Sequence, residues 1–259
     1  MLNNYEDFKR EFFKLSKIDL SSYKENQMKR RIDNFIDKNQ CAGYVNFLKL
    51  IQKDSDLYDM FITYLTINVS EFYRNPAQWA TLEKVIIPHL LGCFGKKLRI
   101  WSAACSTGDE PYSLAMVLSD YVSLNQIEII ATDMDKEVLS KAKRGCYNEK
   151  SVKGLPDKYI NKYFQKDEHG LYHVVDSIKK CITFRQHNLL KDSYIADVDL
   201  LVCRNVLIYF TDEAKDGIYK GFVKSLKRNG ILFVGSTEQI IGPDRYGLES
   251  FQSFFYKKL

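Results

Sequence analysis

An open, doubly wound α/β sheet, preceded by an all-helical segment and interrupted by a small β insertion, is the architecture this 259-residue chain predicts. Three observations lead there. From Leu98 onward, short apolar runs alternate with helical patterns. Before about residue 75, apolar residues recur at helical spacing and no strand pattern occurs. Between Cys146 and Lys180 the alternation breaks into short polar segments.

Tyr5, Phe8, Phe12 and Leu15 share one helical face, as do Met28, Ile32, Phe35 and Ile36, then Tyr44, Phe47, Leu48 and Ile51, then Leu57, Phe61 and Leu65. Four short amphipathic helices are therefore expected. At Ile67–Trp79, INVSEFYRNPAQW, the pattern changes: Asn75-Pro76 ends one element and a further helix leads to Pro88 and the first strand. A boundary near 75 thus separates a helical domain and linker, 1–75, from an α/β domain, 76–259, with an insertion at about 147–181. In the α/β domain, Leu98–Trp101 starts the first strand and Ile127–Asp135 contains the second, followed by a helix over Lys136–Arg144 with Asp135 at its start. Within the insertion, the stretch from Gly170 and that around Asp176–Lys180 read as short strands. Ile182–Leu190 holds a third strand and its exit loop, Val198–Phe210 a fourth, Glu213–Leu226 a helix, Asn229-Gly230 a turn, and Ile231–Gly235 a fifth strand. The terminal FQSFFYKK alternates as a closing edge strand should.

Composition narrows the classes. With 45% apolar residues a buried core is assured, and no segment approaches the length needed to span a bilayer. The start, MLNNYEDFKREFF, lacks a basic stretch followed by an apolar run, so a cytoplasmic protein without membrane insertion is expected. Six cysteines lie scattered without a CxxC pair, and with four histidines there is no zinc spacing; buried thiols and no metal are expected. A net charge of +5 suggests an acidic partner more than a nucleic acid.

The run LRIWSAACSTGDEPYS, Leu98–Ser113, carries the chemistry. A strand enters a loop of small residues, Ser102, Ala103, Ala104, Ser106 and Gly108, and leaves it into a helix that Pro111 is expected to open. Such a loop lets an adenosine-bearing cofactor approach the backbone. Neither GxGxxG nor the GxxxxGK[ST] lysine and hydroxyl is present, which weakens dinucleotide and nucleoside triphosphate readings. Asp133, at the tip of the next strand, stands where a carboxylate accepts ribose hydroxyls. Cys105 reads as a small packed residue rather than a nucleophile. Successive strands end in Ser102-Ala103, Asp133, Asn188-Leu189 and Arg204-Asn205, converging on one site.

These residues resemble the chemotaxis receptor methyltransferase family (CheR). The likeness runs through the YKENQMKRRI helix, the NVSEFYR linker, SAACSTGDEPYS, ATDMD, Asn188-Leu189, and CRNVLIYF followed by LKRNGILFVGSTE. It implies a class I S-adenosylmethionine-dependent methyltransferase with a Rossmann-like sheet, esterifying glutamates of methyl-accepting chemotaxis receptors and leaving S-adenosylhomocysteine. Matched residue by residue, the resemblance sets Asn68, Ser70 and Arg74 against the cofactor, with Ser70 keeping the hydroxyl of a common threonine. Glu110 matches the second acidic residue of the loop, and Asp109 stands where glutamate is common. Ala103, Asp133, Met134, Asn188, Leu189, Arg204 and Asn205 complete the implied pocket, and Tyr209 matches a tyrosine beside the transferable methyl. Arg74 and Tyr209 are accordingly the expected orienting groups, with Asp133 and Glu110 holding the cofactor.

Substrate recognition is expected elsewhere. Lys29, Arg30 and Arg31, with Lys24 before them, lie on the helix that the resemblance sets against the acidic methylation helices of receptors. The Gln165–Val175 segment is shorter than in tether-binding relatives and holds only Gly170, so recognition independent of a C-terminal pentapeptide tether is expected, by a monomer. Two other readings stay open. One is a methyltransferase of another substrate class, disfavoured because Arg204-Asn205-Val206-Leu207 stands where amino-group enzymes carry Asn/Asp-Pro-Pro-aromatic. The other is a non-catalytic cofactor-binding signalling module, disfavoured by retention of Arg74 and Tyr209.

Overall fold

A computed structural model describes residues 4–259; Met1–Asn3, at the start of the expected helical domain, lie outside the described residues. By packing, the chain divides into two units: one up to Asn68 together with Tyr209–Asp216, the other Val69–Ile208 with Gly217–Leu259.

The helical unit contains α1 (Tyr5–Ser16), α2 (Glu25–Lys38), α3 (Gly43–Lys53) and α4 (Ser55–Leu65). Side-chain oxygens hold two helix starts: Asn4 accepts the Asp7 N–H and Asp54 that of Leu57, both at 2.9 Å. Their apolar stripes meet around Phe61, whose ring lies 4.7 to 6.5 Å from those of Phe8, Phe12, Phe35 and Phe47. Leu15, assigned to the buried face of α1, is exposed, as is Phe13.

The larger unit opens with α5 (Pro76–Thr81), which a single π-helical turn at Leu82–Ile86 joins to α6 (Ile87–Phe94). The helix expected to lead up to Pro88 runs past it to Phe94. Pro88 has no N–H for an i−4 carbonyl, and the widened turn, with Ile87 donating to the Leu82 carbonyl, accommodates it without ending the helix. Then come β1 (Leu98–Ala103), α7 (Asp109–Leu118), β2 (Ile127–Asp133) and α8 (Lys136–Arg144). Asp135 caps α8 by accepting the N–H groups of Glu137 and Val138. Pro111 is the third residue of α7, not the first; its missing N–H matters as little there, since the first four N–H groups of a helix have no internal partner.

The insertion holds β3 (Cys146–Tyr147), α9 (Glu149–Val152), α10 (Asp157–Tyr163), β4 (Phe164–Lys166), β5 (Tyr172–Val174) and α11 (Asp176–Lys179), with the strands in antiparallel order β3-β5-β4. Asp176–Lys179 is therefore helical where a strand is expected, and the turn buries Ile178 completely. The chain resumes with β6 (Ile182–Gln186), β7 (Val198–Cys203), α12 (Asp212–Ser225), β8 (Leu226–Val234), β9 (Leu248–Gln252) and β10 (Phe255–Lys258).

The main sheet has the order β6-β2-β1-β7-β8-β10-β9, parallel except for β10, which is antiparallel to both neighbours. Two sequence expectations give way here. Asn229-Gly230 is a register irregularity inside β8, with Asn229 at φ +65°, rather than a turn before it. The terminal alternation is two strands reversing at Phe254, φ +70°, and the edge is β9 rather than the last strand. Order reverses between β1 and β7, which puts a crevice outside their carboxyl ends.

Candidate active site

The crevice is built from strand tips. After β1 the loop carries three left-handed residues, Ala104 (φ +61°), Ser106 (φ +48°) and Gly108 (φ +91°). A Cβ on Gly108 would lie 2.9 Å from that of Ala142, so the loop packs on α8 only with glycine there. Tyr147 closes the far side by donating its hydroxyl to the Thr107 carbonyl at 2.6 Å. From the tip of β2, Asp133 accepts the N–H of Ser106 through Oδ2 at 2.8 Å and that of Asp135 through Oδ1 at 3.0 Å. Burial pushes its carboxyl up to about 6, against the pull of those hydrogen bonds.

The first turn of α7 adds a buried carboxyl, Asp109, and a largely buried one, Glu110. Glu110 accepts the Ser102 hydroxyl at 2.8 Å and faces Arg204 across 3.6 Å; burial raises its pKa, which Arg204 opposes. Asp109 accepts hydroxyls from Thr107 and from Ser70, so the linker is tied to the helix start, and burial raises this carboxyl too. Tyr73 strengthens that tie, its N–H donating to Ser113 Oγ at 3.1 Å.

Arg204 follows β7 and is nearly buried. Its guanidinium donates to the Arg74 carbonyl at 2.8 Å, to Asn75 Oδ1 at 3.1 Å and to Gln78 Oε1 at 2.7 Å, and lies over the Phe233 ring. Trp79 donates its indole N–H to the same Arg74 carbonyl at 2.9 Å. The backbone of Arg74 is thus doubly anchored while its side chain stays half-exposed, near Glu71. Beyond β6, Asn188 Oδ1 accepts the Leu190 N–H at 2.9 Å, Leu189 is buried, and the Met134 carbonyl accepts from Gln186.

Ser70, Arg74, Ala103, Glu110, Asp133, Met134, Asn188, Leu189, Arg204 and Asn205 all belong to the larger unit. Asn68 and Tyr209 belong to the helical one, where Asn68 donates to the Thr66 hydroxyl at 2.8 Å. Four buried polar atoms beside the strand ends have no partner among the described residues: Ser106 Oγ, His187 Nδ1, Arg204 Nε and Asn205 Oδ1. Buried polar groups are ordinarily paired, so this set fits a ligand rich in hydroxyls and amines, as an adenosine is. Cys105 is no nucleophile, since burial and then the Asp133 and Glu110 carboxylates push its thiol well above the ordinary value. The expectation of buried thiols holds for Cys105, Cys181 and Cys203 but not for Cys93, which is exposed, or for Cys41 and Cys146, which are half-buried.

The structure breaks up the expected basic run. Lys29 pairs with Asp33 at 2.8 Å, and Arg31 donates to the Tyr64 carbonyl while lying over the Tyr64 ring. Lys24, Arg30, Arg31, Tyr64 and Tyr209 line a groove of ≈ 290 Å³ in the helical unit, and Lys29 is not part of its lining. Glu238 is not among the residues the sequence nominates. It is buried and accepts N–H groups from Asn205 (2.6 Å), Leu207 (2.7 Å) and Gly235 (2.9 Å). Its only sequence signal is its place in the VGSTE run.

Comparison with known proteins follows the same division. Residues 3–66 match the all-alpha domain of CheR methyltransferase, and residues 68–254 match its SAM binding domain. A "Chemotaxis protein methyltransferase" of Listeria monocytogenes is 45% identical over 93% of this chain and 92% of its own length. "Chemotaxis protein methyltransferase 2" of Vibrio cholerae is 35% identical over 76% and 71%, and "Chemotaxis protein methyltransferase 1" of Pseudomonas aeruginosa 33% over 88% and 87%. The cofactor is S-adenosylmethionine, and with the matches covering nearly its whole length this chain belongs to the CheR methyltransferase family.

Proposed function

We propose that this protein transfers the methyl group of S-adenosylmethionine to glutamate carboxylates of methyl-accepting chemotaxis receptors, giving glutamyl methyl esters. One observation carries the choice of acceptor: Tyr209 shares its groove with Lys24, Arg30 and Arg31. Three cations beside one phenol suit an acidic helix presenting a carboxylate. Its relatives' names point to chemotaxis as well.

Bound S-adenosylmethionine supplies a methyl on a sulfonium, activated for displacement. A glutamate carboxylate, with an ordinary pKa of about 4.3, is already ionised near neutrality and needs no general base. What the residues add is alignment and exclusion of water, and good alignment alone can contribute roughly 7 to 11 kcal/mol. In this proposal Tyr209 orients the incoming carboxylate, Arg74 the group at the methyl, and Asp133 and Glu110 hold the cofactor with Asn68, Ser70, Ala103, Met134, Asn188, Leu189, Arg204 and Asn205. Recognition proceeds without a pentapeptide tether, in the cytoplasm, by a monomer. Supporting tether independence, the turn at 167–171 is closed on itself, with Asp167 Oδ1 accepting the N–H groups of His169 and Leu171.

Incubation with methyl-labelled S-adenosylmethionine and receptor-containing membranes, followed by base, tests the reading. Carboxyl methyl esters release volatile methanol in base and N-methyl products do not. Label retained through alkaline treatment would point to another acceptor, and no transfer at all to a cofactor-binding module.

A further inference from the structure

Glu238 has no part in the chemistry described above, yet three backbone N–H groups converge on it. Oε2 accepts from Asn205 at 2.6 Å and Gly235 at 2.9 Å, and Oε1 from Leu207 at 2.7 Å. Asn205 is held at φ +62°, a left-handed conformation that L side chains rarely adopt. At that bend the chain leaves β7 and enters the short helix Leu207–Tyr209. The sheet end on the other side is equally crowded. A Cβ on Gly235 would stand 2.5 Å from Glu238 Oε2 and 2.9 Å from the Asn205 nitrogen, so glycine is required for the end of β8 to approach the bend.

We infer that Glu238 is a positioning residue for cofactor binding: its carboxylate fixes the Asn205 bend between β7 and β8, and with it the Arg204-Asn205 wall of the crevice. Asn205 Oδ1, buried and without a partner among the described residues, is the atom this clamp aims. A side chain whose only task was to fill space at the end of β8 would need neither acceptor oxygen. Here both are used, and all three donors belong to the exit of β7, which borders the crevice, and to that of its neighbour β8. The inference concerns S-adenosylmethionine alone, so it holds or fails independently of the methyl acceptor.

Calorimetric titration of S-adenosylhomocysteine into wild type, Glu238→Gln and Gly235→Ala tests it, with circular dichroism reporting the folded fraction at the titration temperature. Glu238→Gln keeps the volume but turns one acceptor into a donor facing an N–H; Gly235→Ala keeps the carboxylate and blocks the approach. Both should bind at least about tenfold more weakly while still folded, which corresponds to one lost hydrogen bond to a charged group. Ile178→Ala, a core truncation elsewhere in the same unit, supplies the control: it should lower the melting temperature and leave affinity within about twofold. Should Glu238→Gln and Gly235→Ala lose melting temperature as that control does, with unchanged affinity, Glu238 is a structural brace and the inference falls. If either fails to fold, the other reads the same quantity, and Glu238→Asp, too short to reach all three donors, takes the place of Glu238→Gln.

Discussion

Asp133 Oδ2 accepts the Ser106 N–H at 2.8 Å, joining the tip of β2 to the loop that follows β1. The same carboxyl is pushed by burial to about 6 from an ordinary 3.8. Folding therefore takes up a proton at this group between about pH 4 and 6. Above about pH 6 the buried charge opposes stability by roughly 3 kcal/mol, and that opposition fades as pH falls through 6.

Cofactor affinity should run the other way. If the carboxylate accepts ribose hydroxyls, the ligand favours the ionised form, and affinity for S-adenosylhomocysteine should fall up to about tenfold per pH unit below about 6. Calorimetry across pH 5 to 8 measures it. Asp133→Asn should bind more weakly at neutral pH and lose most of the pH dependence; a slope unchanged in that variant would assign the titration to Glu110, whose pKa burial also raises.

Arg204→Ala should destabilise the larger unit by about 3 kcal/mol, or roughly 6 to 12 °C in melting temperature, because it strands the largely buried Glu110 carboxyl and strips Gln78 Oε1 of its donor. Differential scanning calorimetry reads the shift. A change below about 2 °C would mean that Glu110 neutralises and relaxes without its partner.

Wild-type receptor methylation should fall as salt rises; reversing Lys24 and Arg30 to glutamate should cripple it and abolish or invert that salt dependence, while affinity for S-adenosylhomocysteine stays near wild type. Lys29→Glu should do far less, since Lys29 pairs with Asp33 and is not part of the groove lining. Equal defects in the two variants would show a diffuse charge effect rather than a docking groove.

Tyr209→Phe removes one hydroxyl and keeps the ring. Single-turnover transfer at saturating cofactor should slow by about one to two orders of magnitude, the equivalent of about 1.5 to 3 kcal/mol. Unchanged single-turnover kinetics would make Tyr209 a groove-lining aromatic and leave Arg74 as the orienting group.

Most of the architecture is legible because each element states its own period: the four helical stripes, the buried runs of β1, β2 and β7, and the Asp135 cap depend on residues near in sequence. What escapes is decided at a distance. The π turn before Pro88 keeps a helix going where proline signals an end, and the irregularity at Asn229 needs β7 beside it to be seen. Site residues follow the same rule. Asp133 and Glu110 stand at strand and helix ends that sequence order reveals, whereas Glu238 gains its meaning only when β7 and β8 bring their exits together. Lys29, Arg30 and Arg31 look alike as a run, yet each step along a helix turns about 100°, which sends Lys29 to Asp33 and Arg31 to Tyr64.

The reversal at Phe254 has a kinetic side. The five parallel strands β6, β2, β1, β7 and β8 can pair only after long crossovers close, whereas β9 and β10 face each other across a tight turn. A hairpin of that kind forms on a scale of roughly 1–10 μs, well ahead of non-local pairing. β9 pairs with the rest of the sheet through β10, so the two can dock as one preassembled ribbon, and until β10 arrives the outer flank of β8 is an open edge exposed to mispairing.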